Sequence, residues 1–257
     1  MHLSVVIPAY NEAQRLPRTL DTVTRFLKAQ PYTFEIILSD DGSRDATVQV
    51  AEAKLRGLPH QILTSPRNRG KGHAVRQGML AATGDFIFFT DADLSTPIEE
   101  VTGFLARLEN DQDVVIGSRA LPGSRVEVRQ NFLRETMGKT FNLIARLWTF
   151  KGVHDSQCGF KGFRREAARK LFSLQKLDGF SFDVEIVFLA QKLGLRLLEL
   201  PVTWRNSAQS RVQVFLRTRY DGHFAAFRGE CLRGGQPKTF ACAADQGLFP
   251  LETKIHD

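Results

Sequence analysis

This sequence of 257 residues contains no apolar run long enough to cross a lipid bilayer, for which about 20 consecutive apolar residues are needed. The N-terminus enters a strand-like segment directly, so we expect neither a signal peptide nor a membrane anchor within this chain. The three cysteines cannot all pair and have no Cys-x-x-Cys spacing, and the six histidines lack the close spacing of a zinc site. These features predict reduced thiols in a cytoplasmic protein.

Two common nucleotide-binding motifs are also missing. A dinucleotide-binding fold would need Gly-x-Gly-x-x-Gly after the first strand, where residues 8–13 are PAYNEA. The pair Gly70 and Gly72 lacks the third glycine and follows a different strand. A P-loop ending at Gly138 would need a glycine at position 133, which is leucine. Both motifs are therefore excluded.

The composition favours a globular protein with an anionic partner. The hydrophobic content of 42% is enough for a sizeable core in a chain of this length. The net charge of +7 suits a nucleotide, a phospholipid surface or a nucleic acid. No nucleic-acid-binding motif accompanies this charge, so we expect no nucleic-acid partner.

Strand-like and helix-like segments alternate along the chain. The helical patterns lie between short apolar segments that we interpret as strands: Leu3–Ala9, Phe34–Leu38, Gln61–Thr64, Phe86–Thr90 and Asp113–Gly117. This order predicts an α/β fold in which a mostly parallel, twisted sheet carries helices on both faces. Ligands of such sheets bind at the carboxyl ends of the strands. Polar residues at these ends therefore indicate an active site.

The strand Phe86–Thr90 ends in two carboxylates, Asp91 and Asp93. Residues two apart point to the same side if the extended conformation persists, and two ionised carboxylates repel each other. A Mg²⁺ or Mn²⁺ ion bound by these carboxylates and by substrate phosphates would relieve the repulsion. The alternative is a solvated turn that caps the next helix. We expect a divalent cation at Asp91 and Asp93.

A series of motifs along residues 3–220 resembles the family 2 inverting glycosyltransferases, of the polyprenyl-phosphate sugar transferase type. Each motif is short, but their order is specific: SVVIPAYNE, SDDGSRDAT, NRGKGHAVRQG, FTDADLS, IGSR, DSQCGFKGFRREAA, FSFDVEIVFLAQKLG and LPVTWRNSAQSRVQ. The resemblance implies a GT-A, Rossmann-like nucleotide-sugar fold. It also implies metal-dependent transfer of glucose from UDP-glucose to a polyprenyl (dolichyl-like) phosphate, with inversion to the β-linked product.

The resemblance also assigns residues to the nucleotide-sugar donor. Asp41 would accept a hydrogen bond from the base, Asp91 would orient the ribose and the metal, and Asp93 would bind the cation that bridges the diphosphate. Lys71 would approach the base or a phosphate, since its glycine neighbours permit close backbone approach. The complete set is Pro8, Ala9, Tyr10, Glu12, Asp41, Lys71, Asp91, Ala92 and Asp93. The alternatives are helix capping by Asp40 and Asp41, and a solvated Lys71.

Arg119 and Arg211 are the residues that we expect to bind the phosphate of the acceptor. A phosphomonoester is mostly dianionic at neutral pH and already nucleophilic, so it needs cations rather than a strong base. Arginine binds phosphate through two parallel hydrogen bonds. The alternatives are a salt bridge of Arg119 to a local carboxylate and a surface position for Arg211.

Four further residues complete the predicted acceptor side. Asp183 or Glu185 would be the base if the acceptor were a hydroxyl, although both also suit the N-terminus of a helix. The resemblance makes Asp155 and Gln157 pocket-lining residues. Cys158 is predicted to be a small packed residue rather than a nucleophile.

Basic segments indicate attachment to an anionic membrane surface. Residues 131–151 form a basic amphipathic helical pattern, with core packing as the alternative. We therefore predict a GT-A domain at 1–205, a basic, membrane-facing extension at 206–237 and a tail of unknown role at 238–257. The expected location is peripheral, on the cytoplasmic face of a membrane.

Other functions remain open from the sequence. The same fold could use GDP-mannose or UDP-N-acetylglucosamine as the donor, or a soluble or polymeric hydroxyl as the acceptor. A sugar-phosphate nucleotidyltransferase also has an α/β sheet with acidic metal ligands, but its glycine-rich N-terminal loop is absent here. A non-catalytic module would bind UDP without turnover.

Overall fold

The computed structural model describes residues 2–127 and 152–205, together with the backbone of two short strands nearer the C-terminus. The chain divides into two units, residues 1–207 and 208–257. In the second unit, Gln213–Leu216 and Leu251–Lys254 pair as antiparallel strands. Arg211, the predicted helix at 131–151 and most of the predicted segments 206–237 and 238–257 lie outside the described residues.

The first unit alternates strands and helices as the sequence predicts. The elements, in chain order, are β1 (His2–Ala9), α1 (Leu16–Lys28), β2 (Thr33–Asp40), α2 (Thr47–Leu55), β3 (His60–Thr64), α3 (Lys71–Ala81), β4 (Phe86–Thr90), a 3₁₀ turn (Ile98–Glu100), α4 (Val101–Glu109), β5 (Val114–Ser118), β6 (Arg125–Val126), β7 (Phe160–Arg164), α5 (Arg165–Leu174), α6 (Phe182–Lys192), β8 (Leu197–Pro201) and β9 (Thr203–Trp204). None of the described helices is both long enough and apolar enough to cross a membrane.

Seven strands form one sheet in the order β3-β2-β1-β4-β7-β5-β8. All neighbours are parallel except β7, which runs antiparallel to both β4 and β5. The predicted mostly parallel sheet is therefore confirmed. Thr90, the last residue of β4, pairs with Phe160, the first residue of β7. This reversal brings the residues just before β7 to the edge where the parallel strands end.

Helices cover both faces of the sheet, as predicted. Successive residues of β1 point to opposite sides: Leu3, Val5 and Ile7 pack with α1, α2 and α4, whereas Val6 packs with α3, α5 and α6. The sheet thus lies between two buried apolar layers, one on each face, because its strands carry apolar residues on both sides. The sheet edge that carries the candidate site is thus held between two packed layers.

Candidate active site

The end of β1 is fastened to the loop that follows β2. Asn11 adopts a left-handed backbone conformation with φ of 53°, which asparagine tolerates better than most residues. Its backbone N–H donates to Ser43 Oγ at 2.8 Å, and its side-chain Oδ1 accepts from the Arg44 N–H at 2.8 Å. The Glu12 N–H donates to Thr47 Oγ1 at 2.8 Å. These bonds fix the predicted donor-binding segment, residues 8–12, at the edge of the sheet.

Asp40 and Asp41 at the end of β2 have different roles. Asp40 Oδ2 accepts from the N–H groups of Gly42 and Ser43 at 3.2 and 3.1 Å, which stabilises the turn. Neither residue caps α2, because Asp45 accepts from the Thr47 N–H at the start of that helix, at 3.0 Å. The capping alternative for Asp40 and Asp41 is therefore wrong.

Asp41 instead holds the loop that precedes α3. Its carboxylate is buried and accepts from the N–H groups of Arg69 and Gly70, at 3.0 and 2.7 Å. Burial raises the pKa of Asp41, and the two N–H groups offset part of that rise. Asp41 thus connects the end of β2 to the residue next to Lys71.

Lys71 is the first residue of α3, and its Nζ lies 2.6 Å from Asp91 Oδ1. Burial by itself would lower the pKa of Lys71, but the charges of Asp91 and Asp183 outweigh this effect and raise it. Lys71 therefore carries its charge at the site, and the alternative of a solvated surface lysine is wrong. Gly70, with φ of +115°, allows the close approach of this helix start to the backbone of Asp178.

Asp91 and Asp93 lie on a turn rather than on a continued strand. The Leu94 N–H donates to Asp91 O at 3.1 Å, and Leu94 has φ of 46°. The extended conformation required for a shared strand face therefore does not persist. Both carboxylates nevertheless lie near the same two cationic side chains, Lys71 and Arg15, because the charges of both raise the pKa values of these side chains.

Each of the two carboxylates is also fixed locally. Asp93 Oδ1 accepts from the Ser95 N–H at 2.9 Å. The Asp91 N–H donates to Gly159 O at 3.2 Å, and a side chain at position 159 would overlap the Asp91 carboxylate. Within residues 2–127 and 152–205, no group of three or more His, Cys, Asp or Glu residues could hold a metal ion. A cation here would thus have at most two carboxylates from the described residues and need further ligands from a substrate or water.

Arg119 follows β5 and forms a bidentate pair with Asp155. Its Nε and Nη2 donate to the two carboxylate oxygens at 2.6 and 2.9 Å, and its backbone N–H donates to Oδ2 at 3.0 Å. Burial opposes ionisation of Asp155, but the Arg119 guanidinium outweighs it and lowers the pKa of this carboxyl. The structure therefore contains the local salt bridge that the sequence left open as an alternative for Arg119. It occupies one edge of the guanidinium.

Asp183 pairs with a lysine that the sequence reasoning missed. Lys161 on β7 is fully buried, and its Nζ donates to Asp183 Oδ1 and, at 2.6 Å, to Cys158 O. Burial raises the pKa of Asp183, while Lys161 and Lys71 act in the opposite direction. A lysine inside an apolar strand is the signal that could have indicated this ion pair, since buried charges are normally paired.

Glu185, two residues farther along α6, contacts a different part of the chain. Its carboxylate accepts from the N–H groups of Lys176 and Leu177, at 3.0 and 2.9 Å. The backbone carbonyl oxygen of the next residue, Asp178, accepts from the His73 N–H in the first turn of α3 at 3.0 Å. Glu185 therefore supports the loop that packs on the start of α3.

Two predicted residues surround the start of β7. Gln157 is half-buried, and Cys158 is buried with its Sγ 3.8 Å from Thr96 Oγ1. Burial raises the pKa of the Cys158 thiol to about 11, so the thiol is neutral at physiological pH. This arrangement agrees with a packed residue and not with a nucleophile.

Comparison with known proteins gives the family. The sequence model described as Glycosyl transferase family 2 matches residues 4–172, which include the strand ends and the acid pair described above. The chain belongs to this glycosyltransferase family. A dolichyl-phosphate beta-glucosyltransferase of Dictyostelium discoideum is 37% identical over 84% of this chain and 70% of its own length. A protein of the same name from Drosophila melanogaster is 38% identical over the same shares.

A solved structure supports the fold of this glycosyltransferase. The glucosyl-3-phosphoglycerate synthase of Mycobacterium tuberculosis, solved with Mn²⁺, UDP and glucosyl-3-phosphoglycerate, aligns with a TM-score of 0.59. The alignment covers 80% of this chain and 72% of that protein at 22% identity. At this identity the similarity establishes the architecture alone, and it confirms the GT-A fold.

Most of the predicted site residues of this glycosyltransferase lie in two groups. Asp41, Lys71, Asp91 and Asp93 lie after strand ends or at the start of α3. Asp41 accepts from the residue before Lys71, Lys71 pairs with Asp91, and the charge of Asp93 also acts on Lys71. Arg119, Asp155 and Asp183 surround the beginning of β7, and Gln157 precedes it. Pro8 and Ala9 are the last residues of β1, and Tyr10 and Glu12 follow them. Arg211 lies outside the described residues.

Proposed function

We propose that this glycosyltransferase moves glucose from UDP-glucose to a polyprenyl phosphate and forms a β-linked polyprenyl-phosphate glucose. One observation carries the proposal. Lys71 pairs with Asp91, and the charge of Asp91 also acts on Arg119, while the two candidate bases, Asp183 and Glu185, are engaged by Lys161 and by backbone N–H groups. Such a site suits two anionic substrates better than deprotonation of a hydroxyl. The names of the two relatives support the same donor sugar and acceptor class.

The donor side is proposed to hold the nucleotide diphosphate between the acid pair and Lys71. Asp41 and residues 8–12 are positioned to contact the base and the ribose, because they end neighbouring strands at the same edge. Lys71 contributes a fixed positive charge at the start of α3, where the helix dipole also favours an anion.

A divalent cation fits the chemistry of the acid pair. Asp91 Oδ1 is already paired with Lys71, so Asp93 is the stronger candidate ligand and Asp91 the second. Two carboxylates completed by phosphate oxygens and water are typical of Mg²⁺ and Mn²⁺ sites. When bound, such an ion neutralises charge on the departing nucleoside diphosphate.

The acceptor phosphate is proposed to bind at Arg119. A phosphate dianion needs no general base to act as a nucleophile, since its second pKa is near 6. The arginine brings the two anions together, and Asp155 keeps its guanidinium in place. Arg211, Asp155 and Gln157 remain predicted acceptor residues. Attachment to the cytoplasmic face of a membrane through the basic segments is part of the proposal.

The test is a donor panel combined with a matched pair of acceptors. Purified protein would be incubated with UDP-glucose, UDP-N-acetylglucosamine or GDP-mannose, and with a short polyprenyl phosphate or the corresponding prenol. We expect UDP release and a glucosylated lipid phosphate with UDP-glucose, and no product with the prenol. Preferential transfer to the prenol or to a soluble hydroxyl would contradict the acceptor assignment. Pyrophosphate exchange would indicate a nucleotidyltransferase instead.

A further inference from the structure

Trp204 packs against the guanidinium of Arg119. The Arg119 Cζ lies 5.6 Å from the centroid of the Trp204 ring, within the range of a cation–π interaction. Trp204 is 9% exposed and lies on β9. Its position in the chain, 85 residues after Arg119, gave no indication of this contact.

Trp204 and Asp155 together restrict Arg119. A guanidinium is planar and presents its N–H groups in a rigid fork. Asp155 binds the edge formed by Nε and Nη2, and the Trp204 ring lies against the guanidinium. In the part of the chain that the structure describes, only Asp155 lies within salt-bridge distance of Arg119, so the edge formed by Nη1 and Nη2 has no ion pair of its own, although the charge of Asp91 also acts on the guanidinium. We propose that Trp204 is a positioning residue that directs this edge toward the phosphate of the acceptor.

The backbone around Trp204 is held by hydrogen bonds on both sides. The Thr203 N–H donates to Glu100 Oε1 at 3.0 Å, and Trp204 O accepts from the Glu127 N–H at 3.0 Å. The Arg205 N–H donates to Ser95 O at 2.7 Å. The ring is therefore carried by a fixed strand, as a positioning role requires.

The residue that follows this strand contacts the loop of the acid pair. Ser95, which accepts from Arg205, donates its own N–H to Asp93 Oδ1 at 2.9 Å. β9 and the residue that follows it thus contact the arginine proposed for the acceptor and the loop proposed for the donor diphosphate. A rigid connection of this kind keeps the two anion sites at a constant separation, which the near-attack geometry of the reaction needs.

Kinetics of Trp204→Leu test the inference, which rests on the proposed function. We expect the KM for a short polyprenyl phosphate to rise about tenfold, while the KM for UDP-glucose stays unchanged. Trp204→Phe should retain most of the acceptor affinity, because it keeps an aromatic face and the fold. Phe188→Leu is the matched control, since the Phe188 ring lies 5.7 Å from Lys192 Nζ in a comparable cation–π contact on α6.

A double variant separates positioning from general packing. If Trp204 acts through Arg119, adding Trp204→Leu to Arg119→Lys should cause no further rise in the acceptor KM. Additive losses would overturn the inference, as would equal effects of Trp204→Leu and Phe188→Leu. In both cases glucose transfer by the unaltered protein would leave the proposed function intact.

An NMR titration distinguishes failure of the inference from failure of the proposed function. In protein with ¹⁵N-labelled arginine, we expect inorganic phosphate to shift the Arg119 guanidinium resonances and Trp204→Leu to weaken that response. Absence of glucose transfer by the unaltered protein, together with this response, would refute the proposed function and retain the positioning role. No response of Arg119 to phosphate, or an equal one in Trp204→Leu, would refute the positioning role.

Discussion

Lys161→Met should strongly destabilise the first unit of the protein. Lys161 has no exposed surface, and its removal leaves the 3% exposed Asp183 without the lysine that donates a hydrogen bond to it. Removing one partner of a buried ion pair costs about 3–5 kcal/mol of unfolding free energy. In a unit of about 200 residues this corresponds to a fall in Tm of about 6–20 °C. The assay is urea unfolding followed by far-UV circular dichroism, with the m-value fitted for each variant.

A second variant and a surface control make this prediction specific. Lys161→Met combined with Asp183→Leu should recover most of the loss, because apolar residues can replace a buried ion pair with little cost. Lys54→Met removes a pair with Asp21 whose side chains are 38% and 60% exposed, and it should cost at most about 1 kcal/mol. The reasoning is refuted if Lys161→Met is as mild as Lys54→Met, or if the double variant is no more stable than the single one.

Four further predictions concern activity, reactivity and binding. Asp93→Asn should reduce transfer by about 100-fold or more with an unchanged Tm, and full activity in excess EDTA would contradict the metal assignment. Arg119→Lys should lower kcat/KM for the phosphate acceptor about tenfold, because lysine cannot form the bidentate pair with Asp155. Burial raises the pKa of the Cys158 thiol to about 11, so this group lowers the stability of the folded state as the pH rises toward that value, and the buried, neutral thiol should react with iodoacetamide at pH 8 only after unfolding. Residues 131–151 should bind the protein to anionic vesicles in a salt-dependent manner, and equal binding to neutral vesicles would argue against this role.

Strands and the polar residues that follow them could be predicted from the sequence, because both depend on local patterns of apolar and polar residues. The strand Phe86–Thr90 has the predicted bounds, and the acid pair follows it directly. The helix α1 begins only at Leu16, because Glu12 O accepts from the Arg15 and Leu16 N–H groups in a preceding turn. Bounds of this kind depend on cap geometry, which the apolar pattern does not specify.

Features that depend on distant parts of the chain could not be obtained in this way. β7 has no distinct periodicity, and its antiparallel insertion between β4 and β5 follows from tertiary packing. The pairs Lys161–Asp183 and Arg119–Asp155 join residues 22 and 36 positions apart. The sequence predicts that Asp41 contacts a nucleotide base. Its hydrogen bonds with the Arg69 and Gly70 N–H groups could be identified only from the folded structure.

The product formed from UDP-glucose and a short polyprenyl phosphate tests the central claim most directly. Its anomeric proton, observed by ¹H NMR with ³¹P coupling, reports both the new linkage and its configuration. We predict a β-glucosyl phosphate with phosphorus coupled to the anomeric proton, formed by the unaltered protein and lost in Asp93→Asn. An α-linked product, or glucose attached to a hydroxyl with no coupling to phosphorus, would contradict inverting transfer to a phosphate acceptor.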